Sequence, residues 1–183
     1  MLKCILEYYI IGEYMLNEYL ECGQITRAHG VNGAMVINPF CDSYETFAEI
    51  KTLYIKENGS YKPWRVKKCS PYKNSAIVTV EGIDNPEDVT RLRLTSVYAH
   101  RDDIPKGEGD FFIVDLIGLD VVDASSGEVY GTLKDVTNQG AQDLYVIKRD
   151  GRADAYIPAI KEFVKEISLE KGIFITPIEG MLD

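Results

Sequence analysis

His29, next to Gly30, is the side chain best placed by type to act as a base, and general-base or nucleophilic chemistry would need a Ser, Cys or carboxylate partner beside it. No Gly-x-Ser-x-Gly or Cys-His constellation accompanies it. Gly23, Gly30 and Gly33 do not have the Gly-x-Gly-x-x-Gly spacing of a phosphate-cradling loop, and the flanking segments read as strands, with no strand feeding a helix. Cys4, Cys22, Cys41 and Cys69 lack a Cys-x-x-Cys pair, and with only His29 and His100 as imidazole partners they suggest reduced thiols, not a zinc knuckle or a disulfide framework. Asp120, Asp123, Asp135 and Asp143 lack the close spacing of a calcium loop and read as solvated turn acids. His100, after a strand, reads as solvent-facing. The residues point to adhesion, with no catalytic group, cofactor or metal implied.

Two stretches carry the adhesive chemistry. Residues 109–123 place Asp110, Phe111 and Phe112 just before a strand, and neighbouring side chains of an extended backbone go to opposite faces. At least one of the two rings is therefore expected at a surface or a domain junction. Arg65 and Lys67 fall on one face of a predicted strand, with Lys62, Lys68 and Lys73 nearby, which reads as a solvated face or a local RNA contact.

The elements that must position these residues are short. Strands are predicted from Leu20 to Ala28 and over Met35–Ile37, joined at His29–Gly33 as a hairpin. Further strands are expected over Leu53–Ile55, Tyr61–Lys68, Ala76–Glu81 and Thr95–Ala99. Ser43 opens a helical turn or two, and Asn85-Pro86-Glu87-Asp88 is a helix start, with an N-cap, a proline at the first position and acids in the first turn. Beyond residue 110, strands are expected over 119–122, 129–136, 143–147, 155–157, 164–168 and 173–176. This spacing, without a βαβ rhythm, predicts an all-β protein with short helices, built as two tandem β-barrels. The expected divisions are an N-terminal extension at 1–17, a first barrel at 18–100, a linker at 101–109 and a second barrel at 110–183.

The chain of 183 residues carries a net charge of −9. Residues 1–108 hold 13 basic and 15 acidic side chains, whereas residues 109–183 hold 7 and 14, so the second half is the acidic one. Sequence-independent phosphate binding depends on an excess of Lys and Arg, so a basic partner is the more natural expectation. The first twelve residues are a poor secretory signal and too short to span a bilayer, which gives a cytoplasmic, membrane-free expectation.

The run Gly23-Gln24-Ile25-Thr26-Arg27-Ala28-His29-Gly30-Val31-Asn32-Gly33 resembles the opening strand and His-Gly turn of the bacterial ribosome maturation factor RimM family. Similar blocks follow in the family's order: Glu81 to Asn85, Asp110-Phe111-Phe112, Asp115 to Leu119, Gly127 to Gly131, Ala155 to Pro158, and Glu179 to Leu182. The resemblance implies a six-stranded first barrel like the second domain of elongation factor Tu, and a PRC-type second barrel. It also implies a non-catalytic assembly factor, and a monomer is expected. Such a factor binds a small basic protein of the small-subunit head, engages the immature small subunit, and assists 16S rRNA maturation. Asp110, Phe111, Phe112 and Asp115 are the expected partner-binding residues. Arg27, His29, Arg65 and Lys67 are the expected ribosome contacts, and 16S rRNA is a possible target of the last four. The alternative is an RNA-binding β-barrel acting directly on ribosomal RNA. Phe111 and Phe112 stand where the family carries two tyrosines, so both phenolic hydroxyls are gone. Ala34 and Leu94 also depart from the family's usual Glu and Gly.

Overall fold

The computed structural model describes residues 8–11, 14–41, 43–107, 109–138, 140, 142–178 and 180–182. The chain forms two compact units, Met1–Asp110 and Phe111–Asp183. Ahead of the first barrel, β1 (Tyr8–Ile11) and β2 (Tyr14–Asn17) pair antiparallel as a separate two-stranded ribbon.

The first barrel closes in the order β3-β4-β7-β6-β5-β8. Its strands are β3 (Tyr19–His29), β4 (Ala34–Pro39), β5 (Thr52–Glu57), β6 (Ser60–Tyr72), β7 (Ser75–Val80) and β8 (Ser96–His100). Period-two alternation shows most clearly in β7, where Ala76, Val78 and Val80 are buried while Ser75, Ile77 and Thr79 face outward. Shifts of register at Glu21/Gly23, Ile25/Arg27 and Val66/Lys68 give the local twist that closing a short-stranded sheet requires. The β3–β4 turn packs so closely that a Cβ on Gly33, whose φ is +67°, would lie 2.2 Å from the Ile83 carbonyl oxygen. Only glycine fits there.

Both short helices begin at the expected caps. Ser43 Oγ accepts from the Thr46 amide at 3.1 Å to start α1 (Tyr44–Glu49), and Asn85 Oδ1 accepts from the Asp88 amide at 2.9 Å to start α2 (Pro86–Arg91). Beyond α2 the chain reverses through Leu94, whose φ is +65° and whose side chain is exposed. Its amide donates to the Ile25 carbonyl at 2.7 Å. A left-handed conformation is costly for a residue with a Cβ, so Leu94→Gly is expected to raise stability by about 1 kcal/mol. Urea denaturation would show this as a higher midpoint at an unchanged slope.

The second unit opens with one helical turn, α3 (Ile113–Leu116). A six-stranded sheet follows, in the order β12-β11-β10-β9-β14-β13. These are β9 (Asp120–Asp123), β10 (Val129–Asn138), β11 (Asp143–Lys148), β12 (Ala155–Pro158), β13 (Val164–Ser168) and β14 (Gly172–Ile175). β14 and β9 run parallel and every other neighbouring pair runs antiparallel. The core gathers Val121, Leu133, Ile147, Ile157, Ile173 and Ile175 with Leu116 of α3.

Candidate partner-binding surfaces

In the first unit, pairing of β3 with β4, β4 with β7 and β7 with β6 carries the end of β3 to the end of β6. Arg27 and Tyr72, 45 residues apart, meet there. The Arg27 Nη2 donates to the Tyr72 hydroxyl at 3.1 Å, and the guanidinium lies 5.4 Å from the ring centroid. His29 sets its ring at 5.5 Å and 62° to Tyr72, and the Lys73 ammonium stands 5.9 Å from the same ring. Next to His29 is a groove of about 470 Å³ lined by Val31, Ala34, Lys68, Ser70, Ile77 and Thr79, among others. Arg27 and His29 are thus brought together. Arg65 and Lys67 are exposed further along β6, Lys67 at the bulge and 3.7 Å from Asp84. Tyr72 joins the cluster without having been expected. Its only local signal is the turn at Lys73-Asn74, and its partners lie on another strand.

In the second unit the two phenylalanines part company. Phe111 keeps 36% of its surface exposed while Phe112 keeps 7%. Phe112 precedes α3, and its carbonyl accepts from the Asp115 amide at 2.9 Å. Asp110, last in the first unit, accepts from the Gly107 amide at 3.0 Å and so is tied into its own turn. The second unit also has a groove of about 900 Å³. Its three acids, Asp120, Glu128 and Asp150, are balanced by Lys148, Arg149 and Arg152.

Two sequence readings are corrected. Asp123 is not a solvated turn acid. It is 8% exposed, and its Oδ1 accepts from the Ser125 amide at 2.8 Å, the Ser125 hydroxyl at 2.6 Å and the Ser126 amide at 2.7 Å. Its Oδ2 accepts from the Tyr130 hydroxyl at 2.6 Å. The Ser125 hydroxyl and the Tyr130 hydroxyl, with the two amides, hold its carboxyl well below the usual carboxylate range, and the same contact pushes the Tyr130 phenol up to about 12. The fixed Asp123 shapes the β9–β10 turn. His100 is not solvent-facing either: its side chain is 22% exposed, with Nε2 3.3 Å from Glu18 and Nδ1 accepting from the Asp102 amide. Both misreadings have one cause, since a polar residue beside a turn looks solvated until the backbone folds donors around it.

Cys22 is buried, which pushes its thiol up, and burial raises Cys69 as well, so neither is a ready thiolate. Cys4 lies outside the described residues. No helix among the described residues is long and apolar enough to cross a membrane.

A family model described as the RimM N-terminal domain matches residues 20–104, and one described as the RimM PRC barrel domain matches residues 113–180. A protein of Ruminiclostridium cellulolyticum named ribosome maturation factor RimM is 34% identical over 168 residues, covering 91% of this chain and 99% of its own. One of the same name from Clostridioides difficile is 35% identical over 167 residues, covering 90% and 96%. The crystal structure of a Pseudomonas aeruginosa protein bearing the RimM name covers 87% of this chain and 98% of its own, at 16% identity and a TM-score of 0.45. With both units matched in order and the curated relatives spanned almost end to end, the chain belongs to the RimM family.

Proposed function

We propose that the protein is a non-catalytic, cytoplasmic assembly factor for the small ribosomal subunit. In this reading its second unit docks a small basic protein of the subunit's head, holds it during assembly, and so assists 16S rRNA maturation. The names carried by its relatives support the ribosomal role. The 7 basic and 14 acidic side chains of residues 109–183 support a cationic partner, with charge mainly speeding encounter. The observation that carries the reading is Phe111, a large ring left 36% exposed at the start of the acidic unit. Such rings serve as anchors when a partner covers them. Asp115, in the helical turn that follows, adds a negative charge to the same segment.

The test is direct binding of the purified free head protein, together with recovery of small-subunit precursors from a bacterial lysate. Phe111→Ala is expected to weaken binding roughly thirtyfold, the equivalent of the ~2 kcal/mol that marks a hot spot. Undiminished binding by a folded Phe111→Ala variant removes the docking assignment. A second reading, direct contact with ribosomal RNA, is favoured by the basic and aromatic cluster of the first barrel.

A further inference from the structure

We propose that the groove on the outer face of the first barrel takes unpaired RNA, with bases against Tyr72 and His29 and phosphates against Arg27, Lys68 and Lys73. The choice of RNA over DNA rests on the proposed ribosomal role; the preference for an unpaired strand rests on the groove alone.

The groove follows from register. His29 pairs with Ala34, Val36 with Ile77, Ile77 with Ser70, and Thr79 with Lys68, so this register brings His29, Ala34, Ile77, Thr79, Ser70 and Lys68 to one side of the barrel wall, while Val36 itself is covered, at 3% exposed. Ala34 contributes only a methyl group. Outward Ile77 and Thr79 give an apolar wall, and Val31 stands 76% exposed at the turn. At about 470 Å³ the groove falls within the ~300–1,000 Å³ range of clefts that hold small ligands.

Its charge is the second observation. Among the described residues no carboxylate forms an ion pair with Arg27, Lys68 or Lys73, although the chain as a whole is at −9. Asp84, which lies beneath the Gly33 turn, faces Lys67 instead. Arg27 and Lys73 at the Tyr72 ring and Lys68 in the adjoining groove thus gather three positive charges on one face, the local excess that an anionic ligand needs.

The rings decide which anion. Inorganic phosphate needs no aromatic surface, and an A-form duplex keeps its base faces stacked inside the helix. An unpaired strand offers phosphates and base faces together, which is what an Arg–Tyr–His cluster beside lysines can engage.

The experiment uses the full chain and a fluorescently labelled single-stranded oligoribonucleotide, read by anisotropy. Competitors are its annealed duplex, its single-stranded DNA counterpart and poly-glutamate. Single-stranded RNA is expected to bind at least roughly tenfold tighter than duplex, with a logarithmic salt slope of about −2 for three phosphate contacts. Tyr72→Ala should weaken binding roughly tenfold without changing the salt slope, the signature of lost stacking. Lys68→Glu should weaken binding and flatten the slope. Ala34→Glu, which puts a carboxylate on the groove floor, should abolish it; if that variant fails to fold, exposed Lys68 supplies the charge reversal. Absent binding, equal affinity for duplex, competition by poly-glutamate matching RNA, or an unaffected Tyr72→Ala overturns the proposal, and DNA binding as well as RNA removes only the choice of RNA. Phe111→Ala should bind RNA normally, so failure here and failure of head-protein docking are told apart.

Discussion

Phe112→Ala is expected to lower the protein's stability by roughly 3–5 kcal/mol, the usual cost of emptying a buried phenylalanine site. With 7% of its surface exposed, Phe112 loses nearly all its packing when truncated. Phe111, at 36%, loses much less, and Phe111→Ala should unfold within about 1 kcal/mol of the parent. The pair therefore separates two effects that a double substitution would merge, with stability residing in one ring and partner affinity in the other. Denaturant titration of the two single variants measures the first, and binding of the free head protein measures the second. A Phe112→Ala variant as stable as Phe111→Ala would mean that the two rings are not divided in this way. The missing hydroxyl also matters differently at the two positions. A tyrosine at 112 would have to satisfy its hydroxyl inside a covered site, which phenylalanine avoids, whereas at 111 a hydroxyl would reach water.

What could be read from the sequence was what depends on neighbours along the chain. Ser43 and Asn85 announced both helix starts because a cap is a contact across three residues. The His29–Gly33 turn and the alternation of β7 likewise depend on local backbone geometry. Strand ends were less legible: β6 runs on to Tyr72, past the expected stop at Lys68, because pairing with β7 carries it through Pro71. The least legible features are those made by closure. Tyr72 comes to Arg27 only when β4 and β7 have been inserted between their strands. The burial of Asp123 required Tyr130 to return on β10. Leu94 lies between these cases: it stands where the family usually has Gly, but only the backbone shows the left-handed conformation it occupies.

The Asp123 cluster makes the stability of the second unit depend on pH at both ends of the scale. Because folding depresses the Asp123 carboxyl, its contribution is complete above the unfolded value near pH ~4 and is lost as the pH falls toward the lower folded value. Folding raises the Tyr130 phenol to about 12, so its contribution is complete below the unfolded value near ~10 and is lost as the pH rises through the folded one. Asp123→Ala leaves two turn amides and a phenol without their shared acceptor, and a large loss of stability at neutral pH is expected. Asp123→Asn is the sharper probe. It keeps an oxygen for the Ser125 and Ser126 amides but removes the charge facing Tyr130, so the phenol should titrate near ~10 and the acid-side loss of stability should shrink. Carbon-13 chemical shifts of the labelled Tyr130 ring report its titration directly. If they place the phenol at the same pH in the parent and in Asp123→Asn, the carboxylate does not organise this turn.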